Sequence, residues 1–440
     1  MESVPFSLKS LGVQEVKRLV KQKEKADIII ANANELITCT GHKADSIGRI
    51  PNGWVAIAGE RITAFGSKEE VLQEVDIEQA EIIDATGKVV APGFVDSHTH
   101  AVFGGSRVQE YAAKMTLSDP LELKRRGIET GVMVSVNKTR KARKEELYQS
   151  TEKKLKGMLE AGTTTVEIKS GYGLSTKDEL KILEVASELN HNSSIDIVNT
   201  FLGAHGWPED MTKDRYIDLI INEMIPQVNE RKLAVFHDVW IEDSHFDVED
   251  TIRLLEAGEK AGLKSKVHTD AYSYIGGSDL AAERKVVSAD HLNYTPPEVM
   301  RRLADSGVVG VLMPSLDFAV AHKRPFDARS MIDSGMTVAL ATNLNPGNWT
   351  ESMQFVMVLA CRLYGMSPEE AIRAATINGA KSLELEHDRG SIEKGKLADI
   401  QIWDIPSYEH VIYRLGSNVV DCVLKRGKTV YMKNELGRDG

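Results

Sequence analysis

The 440-residue chain carries a formal charge of −11, with 54 Lys and Arg against 65 Asp and Glu. Its basic residues are scattered through helical segments and form no stripe with interleaved aromatics, so no nucleic-acid partner is expected. Cys39, Cys361 and Cys422 lie far apart without Cys-x-x-Cys spacing, and neither a signal-peptide core nor an apolar run of roughly twenty residues occurs; the expectation is a soluble, cytoplasmic protein with no disulfide framework, zinc ribbon or membrane segment.

Taken in order, Leu8, Leu11, Val16, Leu19 and Val20 recur among lysines and glutamates at nearly helical spacing, which predicts a surface helix within residues 1–25. From there to about residue 90, short β-rich runs such as Asp27-Ile-Ile-Ile and Trp54-Val-Ala-Ile are cut by Asn, Gly and Asp turns. The same texture returns in Ala398-Asp-Ile-Gln-Ile-Trp-Asp and Val420-Asp-Cys-Val-Leu. Residues 26–92 and 385–435 are therefore expected to close into one small β-domain, with residues 93–384 inserted between them.

The insertion alternates strands with helices. Strand ends are read at residues 96–100, 166–170, 200–205, 235–242, 266–270, 287–291, 309–314 and 338–343, with helical patterns at 176–189, 248–261 and 296–304 between some of them. About eight such repeats favour an α/β fold of the closed (β/α)8 TIM-like kind, whose active site lies at the C-terminal strand ends. The apolar pattern over residues 353–363 reads as barrel packing.

Polar residues gather at those ends. In Ala91-Pro-Gly-Phe-Val-Asp-Ser-His-Thr-His100, two histidines one residue apart share a face of an extended chain, a geometry suited to metal binding through neutral imidazole. His268 would complete three nitrogen ligands and leave a position open for water, as a catalytic metal requires. His291, closing Ser288-Ala-Asp-His, is placed to orient a substrate oxygen or carry a proton.

Pro92-Gly-Phe-Val-Asp-Ser-His-Thr-His100, Ala161-Gly-Thr-Thr-Thr and Gly390-Ser-Ile-Glu-Lys-Gly-Lys-Leu-Ala-Asp399 resemble the amidohydrolase superfamily. Within it, Val102-Phe-Gly-Gly-Ser-Arg107, Glu167-Ile-Lys-Ser-Gly-Tyr-Gly-Leu174, Phe201-Leu-Gly-Ala-His205, Ser288-Ala-Asp-His-Leu292 and Ala374-Ala-Thr-Ile-Asn378 resemble the imidazolonepropionase family. The resemblance runs from about residue 26 to 432. It implies a barrel with a composite β-sandwich, a homodimer, one zinc or iron ion, and hydrolytic opening of 4-imidazolone-5-propionate to N-formimino-glutamate.

Residue by residue, the resemblance implies His98, His100 and His268 as metal ligands, Arg107 as the group that holds a small-molecule carboxylate, and Tyr172 and His205 as substrate contacts. Lys169 reads as a solvated or ion-paired lysine in preference to a carbamylated bridging ligand. Two positions depart from the family pattern. Asn343, in Ala341-Thr-Asn-Leu-Asn-Pro-Gly347, stands where the family has an aspartate; its amide oxygen offers a ligand atom but takes no proton. Ala271, in His268-Thr-Asp-Ala271, replaces a glutamate. Proton transfer then falls to Asp270 or His291. The alternatives are a related cyclic-amide hydrolase or deaminase with another substrate, and a catalytically silent paralogue that binds a small acid.

Overall fold

The computed structural model describes residues 23–41, 46–117 and 119–433. Eight parallel strands form the body: β1 (Phe94–Asp96), β2 (Thr163–Lys169), β3 (Asp196–Ala204), β4 (Phe236–Ile241), β5 (Lys264–Thr269), β6 (Ser288–His291), β7 (Val309–Leu312) and β8 (Val338–Leu340). Each pairs with the next in sequence. The seam between β8 and β1 is closed by single bonds: the Asn343 N–H donates to the His98 carbonyl (3.0 Å), and the Asp96 carboxylate accepts from the Thr342 N–H (3.0 Å) and hydroxyl (2.5 Å). The sheet is thus a nearly closed barrel.

Burial on both faces explains the sequence texture, because parallel strands covered by crossover helices have no face in water. All seven residues of β2 are buried. Helices α1 (Thr176–Asn192), α2 (Val248–Lys260) and α3 (Pro297–Ser306) fall on the expected segments. Ser175 caps α1 and Asp247 caps α2, each side chain accepting from a backbone N–H of the first turn. The apolar pattern near residue 353 is helix α4 (Met353–Tyr364), whose Met353, Val356, Met357 and Ala360 are buried in the main core.

Both chain ends meet in a second sheet. Ile400–Trp403 pairs antiparallel with Val89–Pro92 on one side and Val420–Lys425 on the other, while Val89–Pro92 continues to Ile28–Ile37, Arg49–Ala58 and Arg61–Gly66. The far edge curls back: the Ile62 N–H donates to the Lys396 carbonyl (3.0 Å) and the Ala398 N–H to the Glu60 carbonyl (2.8 Å). Ile30, Val55, Ile62, Val90, Ile400 and Leu424 share the core this encloses.

The expected helix within residues 1–25 lies mostly outside the described residues. Its last two positions, Glu24–Lys25, differ from the expectation: they form a short strand parallel to Val75–Asp76, stabilised by ladder hydrogen bonds that a helix end would forgo. Asp196, at the start of β3, ties barrel to sheet through Arg389 (2.5 Å), Lys425 (2.8 Å) and Arg426 (3.0 Å).

Candidate active site

Residues two apart in a strand share a face, and several such pairs place charge inside the barrel. Glu167 and Lys169 stand on β2, Lys266 and His268 on β5, and Asp238 and Asp290 on β4 and β6; all are buried. His98 and His100 lie just past the last ladder position of β1, not within it. The segment is held across the seam instead, the His100 N–H donating to the Leu344 carbonyl (2.9 Å).

Five imidazoles converge here. The His98 ring centroid lies 4.5 Å from that of His268, 5.4 Å from His100 and 5.5 Å from His291. His100 stacks on His205 at 4.9 Å, and His268 lies 5.2 Å from His291 and 6.0 Å from His205. Ligand nitrogens come within 4.8 Å of one another in two sets, His98 with His268 and His291, and His100 with His205 and His268. His268 belongs to both, while His98 and His100, the other two expected ligands, fall one in each. The backbone turns sharply at three strand exits, with positive φ at Asp270 (55°), His291 (83°), Leu292 (63°) and Asn343 (48°). Such non-glycine conformations are costly and collect where packing enforces them, often at functional sites.

Beneath the imidazoles lie carboxylates. His98 Nδ1 is 2.6 Å from Asp290 Oδ2, and His268 Nδ1 is 2.8 Å from Asp238 Oδ2. His100 Nδ1 and His205 Nδ1 face the carbonyls of Ser170 (3.4 Å) and Gly171 (3.1 Å). Nδ1 of His98, His100 and His205 is hydrogen-bonded in these contacts, whereas the approach of Asp238 to His268 is a close ion-pair contact off hydrogen-bond geometry; Nε2 of His98 and both ring nitrogens of His268 are buried without a hydrogen-bond partner.

Burial, then the neighbouring histidines and Lys169, holds His98 and His100 well below the ordinary histidine range. Burial, followed by Lys169 and His291, does the same to His268. Burial brings His205 and His291 down to about 4. All five are therefore neutral near pH 7, the form that ligates metals.

The donor set fits a divalent cation. Imidazole nitrogens backed by carboxylates are the arrangement that fixes ring orientation in metal sites. Glu167, Asp238 and Asp290 lie wholly buried beneath this set together with Lys169 and Lys266. Asn343 is buried, and its amide oxygen accepts from Asn345 Nδ2 at 3.1 Å.

The mouth is lined by residues that sequence reading reached and by some it missed. Tyr172 is buried, its ring 5.4 Å from His100 and 5.5 Å from His205. The Gly-Tyr-Gly turn that presents it is held by the buried Glu179, which accepts from the N–H groups of Gly171 (2.8 Å), Gly173 (2.7 Å) and Leu174 (2.7 Å). Arg107 lines a cleft of about 730 Å³ with Tyr111, Lys114, Tyr272, Asn345 and Gly347. Its Nε and Nη2 each donate to Glu110 at 2.7 Å. Gly347 leaves room for the remaining Nη1, since a Cβ there would stand 3.2 Å from it.

Asp270 is buried just after β5. Its carboxylate accepts from the hydroxyls of Thr269 (2.9 Å) and Thr295 (2.7 Å) and so braces two loops. Ala271 is buried, and its carbonyl lies 2.9 Å from His322 Nε2. Glu110, Glu179, Asp238 and Asp290 were not singled out from sequence. For the two aspartates the available signal was an acid inside a short β-rich run, as in Phe236-His-Asp-Val-Trp-Ile241; Glu110 and Glu179 lie on helices, where an acid gives no such signal.

Known proteins match this arrangement over nearly the whole chain. The imidazolonepropionase of Alkaliphilus oremlandii is 42% identical over 420 residues, covering 93% of this chain and 99% of the relative. That of Clostridium tetani is 42% identical over 421 residues, covering 93% and 100%. The chain belongs to the imidazolonepropionase family. Amidohydrolase family models match residues 81–143 and 228–430 of this imidazolonepropionase-family chain. Among solved structures, an adenosine deaminase from Xanthomonas campestris with bound zinc superposes with a TM-score of 0.72 at 17% identity, covering 94% of this chain and 95% of that one. The guanine deaminase of E. coli gives 0.70 at 16%, covering 92% and 99%. At these identities the likeness shows the fold alone, a barrel of this kind joined to a second sheet.

Proposed function

We propose that this chain hydrolyses 4-imidazolone-5-propionate to N-formimino-glutamate. Water adds across the ring C–N bond next to the carbonyl: its oxygen joins the carbonyl carbon, which becomes a carboxylate, and the ring nitrogen leaves with a proton. The observation that carries this reading is the family match over nearly full length, joined to a cluster of neutral histidines at the barrel mouth.

His98, His100 and His268 would hold one zinc or iron ion, with the Asn343 amide oxygen beside them. Such an ion supplies Lewis acidity and lowers the pKa of water toward neutrality. Arg107 holds the substrate carboxylate through the Nη1 side of a guanidinium whose other edge Glu110 already occupies. Tyr172 and His205 position the ring. His291 takes the proton from the attacking water and returns it to the leaving nitrogen; Asp270, committed to Thr269 and Thr295, is less available for that task. The working form is a cytoplasmic homodimer. Among the described residues no helix is long and apolar enough to cross a membrane.

The test is direct. Purified protein supplied with zinc or ferrous iron is expected to consume 4-imidazolone-5-propionate, to yield N-formimino-glutamate, and to retain about one metal per chain. An intact ring in metal-loaded protein overturns the reading. Release of ammonia from guanine or adenosine would then favour a deaminase, and binding of the acid without turnover a silent paralogue; Asn343 and Ala271 make both worth including.

A further inference from the structure

Among the described residues, Lys169 is the one that touches both carboxylates beneath the histidine cluster. Its Nζ lies 2.7 Å from Asp238 Oδ2 and 3.3 Å from Asp290 Oδ2, with Glu167 at 3.1 Å. These are the same two aspartate oxygens that meet His268 Nδ1 (2.8 Å) and His98 Nδ1 (2.6 Å). Lysine, both aspartates and Glu167 are wholly buried, so no solvent screens the contacts. Glu167 is shared with Lys266 at 2.9 Å, which anchors the ammonium from the inner side.

We infer that Lys169 is a positioning residue for the metal site: its ammonium holds Asp238 and Asp290 in place, and through them fixes the rings of His268 and His98 with Nε2 outward. This rests on the reading of the cluster as a metal centre. The role differs from ligation, since an ammonium encircled by three carboxylates has no lone pair to offer. It also differs in sign from simple electrostatics. A buried cation near a metal repels it, so a lysine acting only as a charge would weaken metal binding, whereas one that orients ligands strengthens it.

The experiment measures zinc affinity by chelator competition on the full chain, with the electronic spectrum of the cobalt-substituted protein as a report of ligand geometry. Wild-type protein that binds neither metal would overturn the metal-site reading itself. With wild type binding, Lys169→Met is expected to lose about 10- to 100-fold in zinc affinity, the range for loss of an outer partner of a ligand, and to alter the cobalt spectrum. Unchanged or tighter zinc binding overturns the inference. Should Lys169→Met not fold, the same substitution is compared within an Asp238→Asn/Asp290→Asn background, which removes the buried charges it would leave unbalanced. There the lysine keeps Glu167 but has no aspartate left to hold beneath the histidines, and its loss is expected to leave affinity unchanged or raise it. A further fall of about 10-fold or more in that background, the size of an outer-partner effect, overturns the inference.

Discussion

Arg107 and Glu110 form a two-point fork, Nε to Oε2 and Nη2 to Oε1, both 2.7 Å. Glu110 is 4% exposed and also receives Lys114 (2.6 Å). Burial pushes its carboxyl up, but Arg107 and Lys114 outweigh burial and hold it down at about 2. The fork therefore stays charged across the working pH range. Substituting Glu110→Gln weakens one side of it and lets the guanidinium swing. The expected result is a KM for the propionate substrate raised about 10-fold, on the scale of about 1.4 kcal/mol, with kcat changed far less. Steady-state kinetics check this, with Arg107→Ala as the more severe reference. Equal KM values in both variants and wild type would remove Arg107 from carboxylate binding.

His291 and His268 separate by role. Loss of a general base costs about 10²- to 10⁴-fold in rate, and His291→Asn is expected to fall in that range while retaining at least part of its zinc. His268→Asn removes the nitrogen common to both candidate ligand sets and is expected to lose the metal as well. Elemental analysis beside the rate assay distinguishes the two. Zinc loss in both variants to the same degree would make His291 a ligand.

Asp196 anchors the barrel to the second sheet, and its titration gives a signed expectation. Burial pushes its carboxyl up, but Lys425, Arg389 and Arg426 overcome burial and lower it to about 2 from an ordinary 3.8. A carboxylate depressed on folding adds stability that is fully present above its unfolded pKa and is lost as pH falls through the folded one. The contribution, about 2 kcal/mol at pH 7 from that shift, is expected to fade between about pH 4 and 2. Urea unfolding at neutral pH and near the lower end of that window measures it. Asp196→Asn is expected to lose stability at neutral pH and to show a shallower decline toward acid than wild type; parallel pH profiles would refute the assignment.

The barrel was legible because short β-rich segments alternate with helical patterns, and several of them end on a polar residue, as Thr163–Lys169 and Ser288–His291 do. The histidines were legible for the same reason. Their partners were not, because cross-strand register creates the contacts: pairing sets Asp238 beside Lys266 and His268 beside Asp290. A sequence displays the acids but not the register. Asp270 shows the converse. The sequence offered it as one of two proton carriers, but its bonds to Thr269 and Thr295 and its left-handed φ of 55° come from how the chain turns after β5, which the residue order does not display.

The Asn343 and Ala271 departures set the last expectation, and the structure separates them. Asn343 N–H already bonds the His98 carbonyl at 3.0 Å, and its side-chain oxygen already accepts from Asn345 at 3.1 Å. An aspartate of the same shape keeps both bonds and adds a negative charge that neutral Asn lacks. Asn343→Asp is therefore expected to fold normally, to bind zinc more tightly and to raise kcat by about 10-fold or more, within the range of an added base. Its rate should fall on the acid side as that carboxylate protonates, adding to the acid limb that His291 already gives wild type. Ala271→Glu is different. The position is buried, and the added volume is expected to cost about 1–3 kcal/mol. The double variant should exceed Asn343→Asp in rate only where the carboxylate introduced by Ala271→Glu reaches the cleft in place of straining the packing. A rate gain from Ala271→Glu alone, with none from Asn343→Asp, would place the missing base at the end of β5 and not at the seam.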